Sequence, residues 1–210
     1  MAGPDRLDRT FFARPTEQVA ADLLGRVLVS TGSGERLAGR IVETEAYLAA
    51  HDLASHAVMY QRGRETLSRA PGTIYIYRAY GIHTMFNIVS RSDEPHGAIL
   101  IRAVDPIEGI EVMQNRRRMM KIRELASGPG KLCQAFAFSL EDHLRDIVTD
   151  QDVWIEPGHP ARPILVSPRI GITRSAELPL RFFDPAGESV SGHRRGLDWS
   201  TVTDRNDPRT

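Results

Sequence analysis

Five short segments, residues 26–30, 40–47, 73–78, 85–89 and 98–104, are rich in β-branched and aromatic side chains, and glycine, serine or aspartate stands between them. Runs of this kind read as strands, and their clustering predicts an antiparallel or mixed sheet. Helical signals flank them. Thr16 reads as the N-cap of a short helix with Val19, Ala20, Leu23 and Leu24 as its apolar stripe and Gly25 as its stop. Asp105, Pro106 and Glu108 have the order of N-cap, N1 and N3 in a helix running to about Met120, with Ile107, Ile110 and either Met113 or Gln114 inward. The segment from Ser127 to Lys131 opens another helix, because Leu132, Ala135 and Phe136 recur behind it at helical spacing. Its free backbone N–H groups would point outward, where such an end can hold a phosphate. Residues 142–150 read as helix, and residues 164–173 and 180–183 as further strands. The fold class predicted is α+β, a single domain with a curved, mainly antiparallel β-sheet flanked by helices.

A chain of 210 residues fits one such domain. Residues 1–8 and 197–210 are short and polar, rich in Asp, Arg and Pro, and read as flexible tails around a folded unit at 9–196. No apolar run approaches the roughly 20 residues of a membrane span, and residues 1–14 carry charges throughout, without a secretory core. An intracellular protein with no membrane contact is expected. Cys133 stands alone, which excludes an internal disulfide, a CxxC pair and a four-cysteine metal site. His51 and His56 flank Asp52 without a third ligand at convincing spacing, so no metal and no other cofactor is expected. Basic and acidic residues cancel at 27 each, yet from His56 to Lys131 twelve basic residues stand against seven acids, and all but Lys121 and Lys131 are arginine. That bias suits planar, bidentate phosphate contacts.

Read as a strand, residues 40–48 turn Val42, Thr44, Ala46 and Leu48 to one face and Ile41, Glu43, Glu45 and Tyr47 to the other. Two carboxylates and a phenol side by side are either a solvated face or a general base beside an aromatic clamp. Residues 71–81 hold three of the five tyrosines. Tyr75 and Tyr77 share a strand face, where cross-strand aromatic pairing would account for them. Tyr80 sits against Gly81 at a turn, and a large ring there projects into solvent, as a wedge for a base stack requires.

Glu-Thr-Glu-Ala-Tyr at 43–47, Ser55-His56, the Tyr-x-Tyr-x-x-Tyr-Gly run at 75–81, Asn87, Ile101-Arg102-Ala103 and Ser-Gly-Pro-Gly-Lys-Leu-Cys-Gln-Ala at 127–135 occur in that order. Over about residues 9–191 the chain thereby resembles the alkyladenine DNA glycosylases, also called methylpurine or 3-methyladenine DNA glycosylases. The resemblance implies an enzyme of base excision repair. Such an enzyme turns a damaged purine nucleotide out of double-stranded DNA and hydrolyses its N-glycosidic bond, leaving an abasic site. By the same resemblance Glu45 is the general base for the attacking water, and Arg102 bonds Glu45 or that water and favours the ionised carboxylate. Tyr47 and Tyr77 would sandwich the base, since electron-poor alkylated purines suit electron-rich rings. His56 would bond near its sugar or edge, and the backbone carbonyl of Ile170 would help to place the water or contact the base. Asn87 would crowd the exocyclic amine of guanine, and Tyr80 would enter the duplex.

DNA backbone contacts are expected from Arg62, Arg64, Arg78, Ser127, Gly128 and Lys131. Lys121 and Lys131 are the chain's lysines, and Lys131 lies in the phosphate-gripping segment, so no Schiff base with C1′ and no lyase activity are expected. Work on one nucleotide at a time needs no symmetry, and a monomer is expected. Between Arg64 and Pro71 the chain is shorter than the family's usual stretch, and Arg78 is an unusual charge beside the tyrosines. Two other readings are a catalytically silent damaged-DNA binding module of the same fold and a hydrolase using Glu43 and Glu45 on a small substrate. Basic residues around the tyrosines speak against the second.

Overall fold

The computed structural model describes residues 5–49, 51–90, 97–192 and 203–205. In chain order these form α1 (Arg9–Phe12), α2 (Thr16–Asp22), β1 (Val27–Ser30), β2 (Leu37–Tyr47), α3 (His56–Met59), α4 (Gln61–Leu67), β3 (Ile74–Ala79), β4 (His83–Ser90), β5 (Gly97–Glu108), α5 (Ile110–Arg117), α6 (Ile122–Leu125), α7 (Pro129–Phe136), β6 (Val153–Glu156), β7 (Leu165–Ser167), β8 (Arg181–Phe183) and β9 (Thr203–Asp204). The strands make one open sheet in the order β3-β4-β5-β2-β8-β7-β9, with β1 on β2 and β6 on β1. Every pair is antiparallel. The class is α+β in a single domain.

Alternation along the strands sorts side chains to two faces. Ile74, Ile76, Phe86, Ile88, Ile99 and Ile101 join Val19, Leu23, Leu132 and Phe136 in the main core, so α2 and α7 cover one face. Burying each such side chain is worth about 1.5–3 kcal/mol. Tyr75, Val89 and Ala98 point the other way and meet Ala57 of α3 and Leu67 of α4. The second face is therefore only partly filled with apolar side chains, and the tyrosines lie on it.

In β2 the simple alternation fails at one place. The register with β5 steps over Val42 on one strand and over Arg102 on the other, a pair of local irregularities of the kind that re-aims side chains. Ile41 accordingly sits in the main core, while Val42 packs with Ala103, Phe183 and Val190. Ile41 and Val42 thus take the faces opposite to those expected. Beyond the irregularity the expected faces return, with Ala46 in the main core and Thr44 Oγ1 donating to the Ala20 carbonyl at 2.8 Å on that side.

Four other expectations are corrected. Asp105, Pro106 and Glu108 continue β5 instead of starting a helix, because Asp105 pairs across the ladder with Arg40 and accepts the Ser189 N–H at 2.8 Å. The helix starts at Ile110 behind Gly109, whose φ of 70° favours glycine. Thr16 is the first helical residue and not the cap; its buried hydroxyl bonds Ser90. Residues 142–150 are not an α-helix: after a 3₁₀ turn at Leu140–Asp142, the guanidinium of Arg145 draws Asp142, Asp150 and Asp152 around itself. The strand predicted at 164–173 is shortened to β7, which ends before Pro168, a residue with no N–H for the ladder.

Parts of both expected tails pack on the fold. Leu7 N–H donates to the Ile155 carbonyl at 2.8 Å and Arg205 N–H to Ile164 at 3.0 Å, and β9 pairs with β7. The remainder of those tails (1–4, 197–202 and 206–210) lies outside the described residues, as do Arg91, His96 and His193. No described helix is long and apolar enough to cross a membrane.

Candidate active site

Glu45 sits on the second face of β2, opposite Leu100 of β5 and Arg181 of β8. Its carboxylate is fully buried, at 0% exposure. A buried charge persists only when it is paired and hydrogen-bonded, and Glu45 is both. Oε1 accepts the Ile170 N–H at 2.7 Å and lies 3.2 Å from a terminal nitrogen of Arg102. Oε2 accepts the Tyr47 hydroxyl at 2.8 Å. Oε1 thus takes the Ile170 N–H and faces the Arg102 cation, whereas Oε2 takes the Tyr47 hydroxyl and keeps a lone pair. Burial works against the charge on Arg102, but Glu45 and Glu43 outweigh it and raise its pKa above the ordinary value.

Tyr47, Arg102 and Ile170, the three partners of Glu45, all line one cleft of about 880 Å³, together with His56, Tyr77 and Tyr80. That volume falls within the range of small-molecule sites. The carboxylate thus lies directly behind the wall of the cleft. His56 and Tyr77 are in contact, with ring centroids 4.3 Å apart, and Tyr75 stands 5.4 Å from Tyr77. His56 is placed by Ser55, whose hydroxyl caps α3, and its Nδ1 lies 2.7 Å from the Tyr75 hydroxyl. Burial pushes the Tyr75 phenol up to about 12 and holds His56 below its ordinary value. Burial and the charge of Glu45 raise Tyr47 well above the usual phenol. The phenols keep their protons and the imidazole stays neutral at pH 7. On its far side the Tyr47 ring carries the Arg169 guanidinium, 4.6 Å from the centroid.

The turn between β3 and β4 carries Tyr80, exposed to 84% beside exposed Ile82. Its φ is 52°, a conformation that costs a non-glycine residue roughly 1–2 kcal/mol. Asn87 lies under the tyrosines. Its Nδ2 donates to the carbonyls of Tyr75 and Met85 at 3.1 and 3.3 Å, which fixes the amide.

The structure divides the residues expected to grip the DNA backbone. Arg62 and Arg78 line the cleft, as does Pro129 at the start of α7. Ser127 and Lys131 line a different groove, with Arg123 and Glu188, and Lys131 Nζ donates to Ser127 Oγ at 3.0 Å. Gly128, at φ 148°, forms the N-cap of α7 between them. Arg64 is exposed and spends its Nε on the Ala57 carbonyl. Among the described residues no group of three His, Cys, Asp or Glu side chains is placed to hold a metal.

A model of the methylpurine-DNA glycosylases matches residues 10–188. The chain belongs to the methylpurine-DNA glycosylase family. A protein of Chlorobaculum parvum named "Putative 3-methyladenine DNA glycosylase" is 45% identical over 198 residues, covering 91% of this chain and 93% of its own. The human "DNA-3-methyladenine glycosylase" is 39% identical over 221 residues, 95% of this chain and 69% of the human protein. A Methanocella arvoryzae relative with the same name as the first is 40% identical over 196 residues. Membership makes the protein a DNA glycosylase, a hydrolase of N-glycosyl bonds in DNA repair.

For a methylpurine-DNA glycosylase the unforeseen part of this site is its support. Asp52 and Arg169 form a buried pair with contacts of 2.5 and 2.7 Å, and this pair backs Tyr47 and sets the Ile170 N–H. At Ile170 the sequence pointed to the carbonyl; the contact to Glu45 is made by the N–H. Buried Glu43 and Arg181, with half-buried Ser191, form a second cluster beside Glu45. Residue types hinted at the carboxylates, but no local signal announced partners more than a hundred positions away.

Proposed function

We propose that the protein is a monofunctional glycosylase that everts alkylated or deaminated purines from double-stranded DNA, with 3-methyladenine, 7-methylguanine, hypoxanthine and etheno-adenine as the substrate class. Carrying this reading is one observation: a buried carboxylate with a free lone pair on Oε2, directly behind a cleft walled by Tyr47, Tyr77 and His56. A purine between these rings would place its C1′ toward Glu45. Water attacks C1′ as the bond to the purine breaks; the bonding pair leaves with the base, and Glu45 takes the water's proton. Carboxylate charge also stabilises the oxocarbenium character that develops in the sugar. General-base help of this kind is worth roughly 10²–10⁴ in rate. Arg102 supplies a fixed cation that holds Glu45 in place.

Tyr80, on its exposed turn, is the side chain that fills the space of the everted nucleotide. Arg62 and Arg78 beside it supply phosphate contacts. Neither lysine lines the cleft, which supports attack by water over attack by an amine. The test incubates the protein with duplexes carrying hypoxanthine or etheno-adenine and assays alkali-labile abasic sites. Release of the base supports the reading, whereas binding without release from any damaged purine would make the protein a silent binding module.

A further inference from the structure

We propose that Glu43 is a positioning residue for base release: through Arg102 it keeps the second oxygen of Glu45 open to the attacking water. This inference rests on the reading of Glu45 as the general base. Glu43 is fully buried, two residues from Glu45 on the same strand, and it does not line the cleft. Its Oε1 accepts Arg102 Nε at 3.1 Å, Arg181 Nε at 2.6 Å and Ser191 Oγ at 2.8 Å. Its Oε2 accepts the Ser191 N–H at 2.7 Å. So many donors around one carboxylate hold it rigidly.

The consequence falls on Arg102. Its Nε is tied to Glu43, one terminal nitrogen donates to Ser191 Oγ at 3.2 Å, and the other faces Glu45 Oε1 at 3.2 Å. An arginine free of restraint favours the bidentate grip on a carboxylate, two parallel N–H bonds to both oxygens. Held by Glu43 and Ser191, Arg102 reaches Glu45 with one nitrogen and touches Oε1. The lone pair on Oε2 that Tyr47 leaves free thus stays available for a proton. Without Glu43, the guanidinium can turn and cap both oxygens of the base, and one negative charge beside Glu45 is lost.

The charged and titratable groups around Glu45 are Glu43 and Tyr47 on β2, Tyr77 on β3, Arg102 on β5, Arg181 on β8 and Arg169 next to Ile170. Removing Glu43 from this set leaves the cations in excess and favours the ionised base. Glu43→Gln therefore lowers the plateau rate and moves the acid limb of the pH–rate profile to lower pH. A residue that serves the fold alone would change stability and binding and leave that limb in place.

The experiment measures single-turnover release of hypoxanthine from a duplex under excess protein between pH 5 and 8, with the dissociation constant for the same duplex measured in parallel. For Glu43→Gln the expected result is a plateau rate reduced roughly 10- to 100-fold, a dissociation constant within about threefold of wild type, and an acid limb at lower pH. An unchanged rate, or a rate and affinity that fall together with the limb unmoved, overturns the proposal. If Glu43→Gln does not fold, Ser191→Ala decides: a roughly threefold slower release at unchanged affinity upholds it, and wild-type release overturns it. Wild-type protein that releases no damaged base would instead overturn the reading of the site itself, so the two failures are distinguishable.

Discussion

The hydroxyl of Tyr47 donates to Oε2 of Glu45 over 2.8 Å, so the side chain proposed to stack on the damaged base also touches the proposed base catalyst. On the proposed reading, recognition and chemistry share one hydrogen bond. Replacing Tyr47 with Phe keeps the ring and deletes that donor, which disfavours the ionised carboxylate. The expected outcome is single-turnover release slowed by roughly threefold, with lesion affinity little changed. Release at the wild-type rate would mean that the hydroxyl does not act on Glu45.

Glu45→Gln keeps the shape of the site and removes the proton acceptor. Base release is expected to fall by roughly 10²–10⁴-fold, with binding to an etheno-adenine duplex retained, as read by gel shift or anisotropy. A variant that still turns over at the wild-type rate would place the base elsewhere.

How far these residues were legible differs by kind. Glu45, Tyr47, Tyr75 and Tyr77 share a face because strand alternation is local, and the irregularity that reversed Ile41 and Val42 ends before Glu45. The helix signal at Asp105 misled because an N-cap carboxylate and a cross-strand ion-pair partner look alike in one dimension; Arg40, 65 positions away, decides between them. The Asp52–Arg169 pair spans 117 positions, and nothing near either residue announces the other. Collinear motifs identified the family, but the supporting cluster of Glu43, Arg181 and Ser191 required the fold.

That buried support has a measurable cost when broken. Asp52 is 1% exposed, binds Arg169 through both oxygens, and also accepts the Leu48 and Ala54 N–H groups. Asp52→Ala leaves a buried guanidinium without its counter-charge, which is expected to destabilise the fold by about 3–5 kcal/mol. Urea denaturation of the variant checks the figure; a loss below 1 kcal/mol would show that Arg169 finds another partner or reaches water.

Tyr80 offers the opposite case, a large ring left 84% exposed. Tyr80→Ala is expected to leave folding stability within about 0.5 kcal/mol of wild type. Excision from a duplex should nonetheless slow by roughly 10- to 100-fold, the worth of one lost stacking contact. Excision from a single strand, where no gap needs filling, should suffer less. Thermal melting and release from the two substrates separate these effects, and equal slowing on both would argue against a wedge.

The neutral imidazole of His56 is expected to give the site a pH-dependent selectivity. Burial holds its pKa below the ordinary value, so the folded protein takes up this proton only at a pH lower than the roughly 6.5 of a free histidine. Over that interval the unfolded chain binds more protons than the folded one, and stability from this group, complete above about 6.5, declines as pH falls. Inside the cleft, protonation places a cation against Tyr77, 4.3 Å away between ring centroids. A positively charged 7-methylguanine is repelled by it, and neutral hypoxanthine is not. The carboxylate of Glu45 would serve both substrates alike, so the ratio of their rates isolates the imidazole. As the pH is taken down below about 6.5, the ratio of 7-methylguanine to hypoxanthine release is expected to fall, and the fall should vanish in His56→Gln. A constant ratio in the wild-type protein would remove His56 from the recognition of charge.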